Sequence, residues 1–361
     1  APLCPVTPPV PNADVQGTNI GSSFRIQTDV PVVAYQINPY GGGTTAVTAA
    51  SLLLPTSAWD TNYIAVQAYQ YDLHNPSMNI VAAEDGTVVT INPITAVTGG
   101  SGIPASPANT PFNFPLNAGQ HAQLSQQAEL TGSVIQSNKP IGLMAGQPCM
   151  RAPLGVAYCD HGEQMIPPVQ ALGSEYVGVM HKPRSGEPAI WRLVGALDGT
   201  QLSWTPAAPA GAPASLNQGQ VVEFITSEPF VVKSQDSDHP FILLSYMTGS
   251  QYTGLTDKSG IGDVDFVTSV PPDQYMRKYV FFADPTYPDT HLVLVRRSLN
   301  GEFYDVQLDC AGPVSGWQSV GEYEWTRFDL NTGFQNNGGC STGRREISSD
   351  APFGLWVWGW G

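Results

Sequence analysis

A four-residue turn, [Ser/Thr]-[Asp/Asn]-x-Pro, recurs along the chain. This repeat limits the possible folds more than any other feature. It reads Thr28-Asp29-Val30-Pro31, Ser137-Asn138-Lys139-Pro140, Ser237-Asp238-His239-Pro240 and Ser349-Asp350-Ala351-Pro352, with prolines 109, 100 and 112 residues apart. An Asp or Asn side chain can bond its own backbone two residues on, while Pro fixes φ and ends ladder pairing. Short apolar runs flank each copy, as in Phe230-Val231-Val232 before and Phe241-Ile242-Leu243-Leu244 after the third. The pattern predicts a strand–turn–strand element used four times.

Other marks keep the same phase. Leu54-Pro55, Ile166-Pro167 and Val270-Pro271 precede Tyr63-Ile64, Tyr176-Val177 and Tyr279-Val280. Then come the hairpin signals Asp85-Gly86, Asp198-Gly199 and Asn300-Gly301, followed by Gly119-Gln120, Gly219-Gln220 and Gly321-Glu322. Helical periodicity is nearly absent. The expected fold is all-β: three tandem homologous β-sandwich-like units plus a partial N-terminal unit. The expected boundaries are 1–47 for an arm and partial repeat, then 48–159, 160–262 and 263–361 for the units. Thr95 to Pro115 and Thr205 to Ser215 are low-complexity loops in equivalent positions, either a variable binding face or tolerated insertions.

Composition narrows the function. Charged residues are only 12%, against 37 Gly and 32 Pro, which suits a turn-rich β protein with a polar, weakly charged surface. The net charge of −15 repels phosphate backbones and anionic lipid, so nucleic acid is a poor partner. No apolar run is long enough to span a membrane as a helix.

Five cysteines occur, none in a CxxC pair: Cys4, Cys149, Cys159, Cys310 and Cys340. The simplest reading is two disulfides, Cys149–Cys159 and Cys310–Cys340, in an oxidising compartment, with Cys4 left over. The alternative is reduced thiols.

The segment Cys159-Asp160-His161-Gly162-Glu163-Gln164-Met165-Ile166-Pro167-Pro168, followed by Gly173 and Tyr176-Val177, resembles the IgGFc-binding protein N-terminal domain family. Ser137-Asn138-Lys139-Pro140-Ile141, Cys149 and the ending Ser349–Gly354 with Gly359-Trp360 fit the same pattern. The resemblance runs over nearly the whole chain. It implies an extracellular, repeat-built β domain, secreted or held at the cell surface. The family name comes from an animal mucus protein that binds the constant region of antibodies, and many relatives are bacterial surface or secreted proteins. The chain departs from bacterial relatives near Gly21, where Ser22 and Ser23 stand in place of a second early cysteine.

No nucleophile elbow, HExxH motif, phosphate loop or dinucleotide fingerprint appears, and the six histidines lack paired ligand spacing. Asp160-His161-x-Glu163, beside Cys159, is the best candidate for chemistry. On a strand His161 and Glu163 point the same way and Asp160 the other. It reads as a metal or acid–base pair, or as structure ordering a junction beside a disulfide, and the structural reading is preferred. Asp236 and Asp238 are weak candidates for Ca²⁺, as are Asp263 and Asp265, and no other cofactor is expected. Trp356, Trp358 and Trp360 alternate on one strand face, either as a platform for a glycan or partner, or as core.

The expected function is non-catalytic adhesion or recognition of an extracellular protein or glycan. The first alternative is a self-assembling surface subunit, with copies joined through the N-terminal arm by strand addition. The second is a hydrolase on a β scaffold.

Overall fold

The computed structural model describes residues 14–38, 49–253 and 262–361. Cys4 and the Thr7–Pro11 arm lie outside them. Among the described residues the protein is all-β, and its helices are 3-10 turns of three or four residues.

The turn motif marks the places where a strand changes sheets. Val134–Met150 is one strand of 17 residues. Its first part pairs with Asp60–Ile64 and Thr87–Asn92, and its second with Ser77–Ala82 and Asp160–Ile166. Ser137–Pro140 lies at the crossing, so one strand serves both layers of a sandwich. Gly343–Trp360 does the same. It pairs with Met276–Ala283 and Val306–Leu308 before Ser349–Pro352, and with Asp289–Arg297 after it. At the middle copy the strand is interrupted. Phe230–Ser234 pairs with Glu175–Gly178 and Thr200–Thr205, whereas Phe241–Met247 pairs with Ala189–Gly195 and Asp265–Thr268. The pairing shows why. Ser137 lies opposite Val89, but it is Ser234 that lies opposite Leu202, three residues upstream of Ser237. This corner is therefore three residues longer than the motif alone implies.

A tyrosine ties each corner. The Tyr63 hydroxyl donates to the Ile141 carbonyl at 2.6 Å, Tyr176 to Phe241 at 2.7 Å and Tyr279 to Phe353 at 2.6 Å. Every acceptor is the residue after a motif proline. Every tyrosine also accepts from the N–H three residues before it, on Asp60, Gly173 and Met276. The Tyr signal in the sequence is thus a hydroxyl that satisfies backbone groups where the ladder changes sheets.

The first motif copy behaves differently. Residues 23–34 form no strand, and Phe24, Ile26, Val30, Val32 and Val33 are exposed. Only its C-terminal side pairs, Tyr35–Asn38 with Ala49–Leu52. That register is shared with the later copies: the fifth residue after the proline faces Ser51, Gln164 and Val267 in turn, from Gln36, Ala145 and Ser245. Upstream, Asn19–Ser22 extends the first sheet by pairing with Gln120–Ser125.

The central strands Ala189–Gly195 and Phe241–Met247 are buried along their whole length. Alternation explains it. Ile190, Val194, Ile242 and Leu244 join a core with Tyr63, Ile80, Leu143 and Ile166, while Trp191, Leu193 and Leu243 face a second core with Phe224 and Phe230. Packing is close enough to bring backbones together: a Cβ on Gly132 (φ +99°) would sit 2.2 Å from the Gly219 carbonyl oxygen. Gly343–Trp360 and its partners form the curled third sheet, counting one assembly per corner, with its own core around Leu292, Leu294 and Phe353.

Candidate functional site

Both expected disulfides form. Cys149–Cys159 and Cys310–Cys340 hold their Cα atoms 5.0 and 4.8 Å apart. The first closes the loop leading into Asp160–Ile166, which carries the predicted cluster.

That strand brings the cluster together and then closes it off. His161 Nε2 lies 3.3 Å from Glu163 Oε2, on the same side as the alternation requires. Gln36 Nε2 from the N-terminal segment also donates to Glu163 Oε2. Asp160 Oδ1 accepts from the His161 N–H at 2.6 Å. Glu163 is only 3% exposed, and its Oε1 has no hydrogen-bond partner. Burial pushes its carboxyl up to about 7, against the opposing Gln36 bond, and burial pushes the His161 imidazole down. The nearby Asp265 carboxyl is raised by burial first and by the Glu163 charge second. The cluster therefore fastens the N-terminal segment onto the Asp160–Ile166 strand. Gln164 Nε2 donates to the Ala50 carbonyl and the Met165 N–H to Ser51 Oγ, along the same seam.

The calcium candidates are engaged elsewhere. Asp236 Oδ1 lies 2.6 Å from His239 Nδ1 and accepts from the Asp238 N–H, shaping the long corner. Asp263 and Asp265 accept from the backbone of Val264 and Phe266. Among the described residues no group of three or more His, Cys, Asp or Glu is placed to hold a metal ion.

Two of the three tryptophans are buried in packing. Trp358 and Trp360 are each 4% exposed and Trp356 is half-buried. Their strand lies in the third sheet, and Trp358 and Trp360 pack on Met247 and Val293. His181 stacks 5.2 Å from Trp358, and His291 4.4 Å from Trp360. His181 Nε2 meets Glu187 Oε1 at 3.1 Å, and Arg184 Nε donates to the same oxygen at 2.8 Å. Burial drives the His181 imidazole down to about 4, despite the Glu187 bond. His291 is pushed well below its usual range, first by burial and then by the charges around it. Burial works to raise Glu187, yet the His181 bond and the Arg184 charge hold it well below the carboxylate range. Sequence reasoning missed this set. His181, Glu187 and His291 share no local pattern, and only docking of the third sheet assembles them.

A groove of about 640 Å³ opens beside the third corner. Arg277, Phe303, Tyr304, Asp305, Ser349 and Asp350 line it. It combines two aromatic rings with charges of both signs, and no catalytic pairing of nucleophile and base lies in it. The only signal for it in the sequence was the motif itself, since Asp350 belongs to the fourth turn.

The family model for IgGFc binding protein matches residues 49–359. The chain belongs to the IgGFc binding protein family. That family consists of extracellular binding proteins rather than enzymes, and the two disulfides suit the same compartment. No curated protein and no solved structure matches the chain. No helix among the described residues is long and apolar enough to cross a membrane.

Proposed function

We propose that this member of the IgGFc binding protein family is a secreted or cell-surface recognition module that adheres to an extracellular protein or glycan without catalysis. The observation that carries the reading is the family match across residues 49–359, on a scaffold whose titratable clusters are built into its seams. Glu163, His181 and His291 are all buried, which supports a structural role for them. The proposed layout is an arm and partial repeat at 1–47, then units at 48–159, 160–262 and 263–361; the three tyrosine-tied corners support it. The groove at the last corner is the proposed contact surface.

The test is binding of the purified, non-reduced chain to a panel holding the Fc fragment of IgG, other secreted glycoproteins and a glycan array. Saturable binding to at least one member, at micromolar affinity or tighter, is expected. A panel with no saturable binder would sink the reading.

One observation favours a second reading. Phe24 and Ile26 are 63% and 67% exposed, on a segment that keeps strand register only after its proline. An apolar, extended, unpaired segment can add to a sheet of another copy. Light scattering that shows polymers growing with concentration, and lost in Phe24→Ser/Ile26→Ser, would make assembly the function.

A further inference from the structure

The three corners hold their neighbouring hairpins differently. At the first, Asn138 clamps the Asp85-Gly86 hairpin: its Oδ1 accepts from the Val88 N–H at 2.7 Å, and its Nδ2 donates to the Gly86 carbonyl at 3.2 Å. At the second, Gln235 repeats the clamp on the next hairpin. Its Oε1 accepts from the Gln201 N–H at 2.7 Å, and its Nε2 donates to the Gly199 carbonyl at 3.1 Å. Asn138 and Gln235 each follow the serine that faces the hairpin strand, Ser137 opposite Val89 and Ser234 opposite Leu202. A carboxamide suits the task because it offers one acceptor and one donor side by side.

At the third corner Ser349 faces Val306, so Asp350 stands where Asn138 and Gln235 stand. A carboxylate has no proton to give a carbonyl, so it cannot complete the clamp. The hairpin has also grown. Val89 and Leu202 follow their hairpin glycines by three residues, and Val306 follows Gly301 by five. In register, the backbone groups left for a clamp are the Phe303 carbonyl and the Asp305 N–H. Among the described residues no corner side chain bonds either one, and the groove lies between them and Asp350. Among the described residues Arg277, Asp305 and Asp350 engage no charged partner there, whereas Lys278, which also lines the groove, is paired with Glu346 at 2.6 Å.

We infer that the third-corner groove binds an extended peptide segment of a partner protein, whose carboxamide takes the place that Asn138 and Gln235 fill at the other corners. The Phe303 and Tyr304 rings supply an apolar wall for the peptide. Asp305 and Asp350 accept from a basic neighbour in the peptide, and Arg277 donates to an acidic one. This inference rests on the binding-module reading and names the chemistry of its site.

The probe is the blocked tripeptide acetyl-Lys-Asn-Glu-N-methylamide, whose one primary carboxamide is the Asn side chain, titrated into the isotope-labelled full chain and followed by NMR. Saturating shifts confined to residues 301–307 and 348–350 are expected, at millimolar affinity or tighter. Acetyl-Lys-Asp-Glu-N-methylamide, which has no primary carboxamide, is expected to bind roughly tenfold more weakly. Asp350→Asn supplies an internal amide and should also weaken the probe while leaving the melting temperature unchanged or raised. Phe303→Ala, at an exposed position, is a second variant that should weaken it.

Absence of shifts at about 10 mM, shifts scattered elsewhere, or equal binding of the two peptides would overturn the inference. So would chitobiose binding at these residues where the peptide does not. Failure here is separable from failure of the broader reading. If a partner from the protein and glycan panel binds Phe303→Ala/Asp350→Asn as tightly as the unaltered chain, the groove is wrong and the module stands. An empty panel sinks the module itself.

Discussion

Arg192 and Glu129 form a two-pronged ion pair, with Nη1 2.9 Å and Nη2 3.0 Å from the two carboxylate oxygens. Arg192 lies on a central strand and Glu129 in the connection that follows Gln120–Ser125, so the pair bridges the first and second corner assemblies. Glu223 lies 3.6 Å from Arg192 Nε, and the Tyr69 ring sits 5.2 Å from its guanidinium carbon. Arg192→Leu would leave two carboxylates facing a buried apolar side chain. It is expected to cost about 3 kcal/mol, read from urea unfolding. A loss under about 0.5 kcal/mol would show that the seam does not depend on the pair.

The tyrosine ties should be individually measurable. Tyr63→Phe, Tyr176→Phe and Tyr279→Phe each remove one donor to a carbonyl at a sheet crossing and add no volume. A loss of about 1–2 kcal/mol is expected for each. Tyr63→Phe and Tyr176→Phe should cost more than Tyr279→Phe, because those two residues are fully buried and Tyr279 is only half-buried. Unchanged unfolding midpoints in all three would show that the hydroxyls do not brace the corners.

Acid should loosen the third sheet. The folded-state pKa of His181 is depressed to about 4, and that of His291 lies well below normal, so the fold favours both as neutral imidazoles. Their contribution is whole above an unfolded value of about 6.5 and is lost as pH falls from there toward about 4. The charged groups facing them are Glu187, Arg184, Lys182 and Arg327. Tryptophan fluorescence should report the change through Trp358 and Trp360. An imidazole NMR signal of His181 titrating near 6.5 in the folded chain would refute the account.

Glu163 acts in the opposite sense. Its folded pKa is raised to about 7, so the fold favours the protonated acid. Its contribution is present below about 4.5 and is lost as pH rises through about 7. Glu163→Gln keeps the shape and removes the ionisation. It should raise the stability at pH 8 by on the order of 2 kcal/mol and leave pH 4 nearly unchanged. Equal effects at both pH values would place the benefit in the amide hydrogen bonds instead.

Local chemistry made much of the fold legible. Proline, Asx turns and Asp-Gly hairpins act over four residues, so they show in a linear string, and the all-β class follows from them. The same-side placement of His161 and Glu163 was equally readable, because strand alternation alone decides it. The Cys149–Cys159 and Cys310–Cys340 pairings also join cysteines close in sequence.

Packing partners are decided only when sheets dock. The sequence could not tell that Trp358 and Trp360 meet His181 and His291, because those contacts span more than 60 residues and depend on how one sheet lies on the next. Nor could it show that Ser234, not Ser237, faces the hairpin strand, since register is set by the whole ladder and not by the motif. The groove at Asp350 has the same origin. Two added hairpin residues and one carboxylate in place of an amide are unremarkable as letters, and only the tertiary register brings them together at the groove.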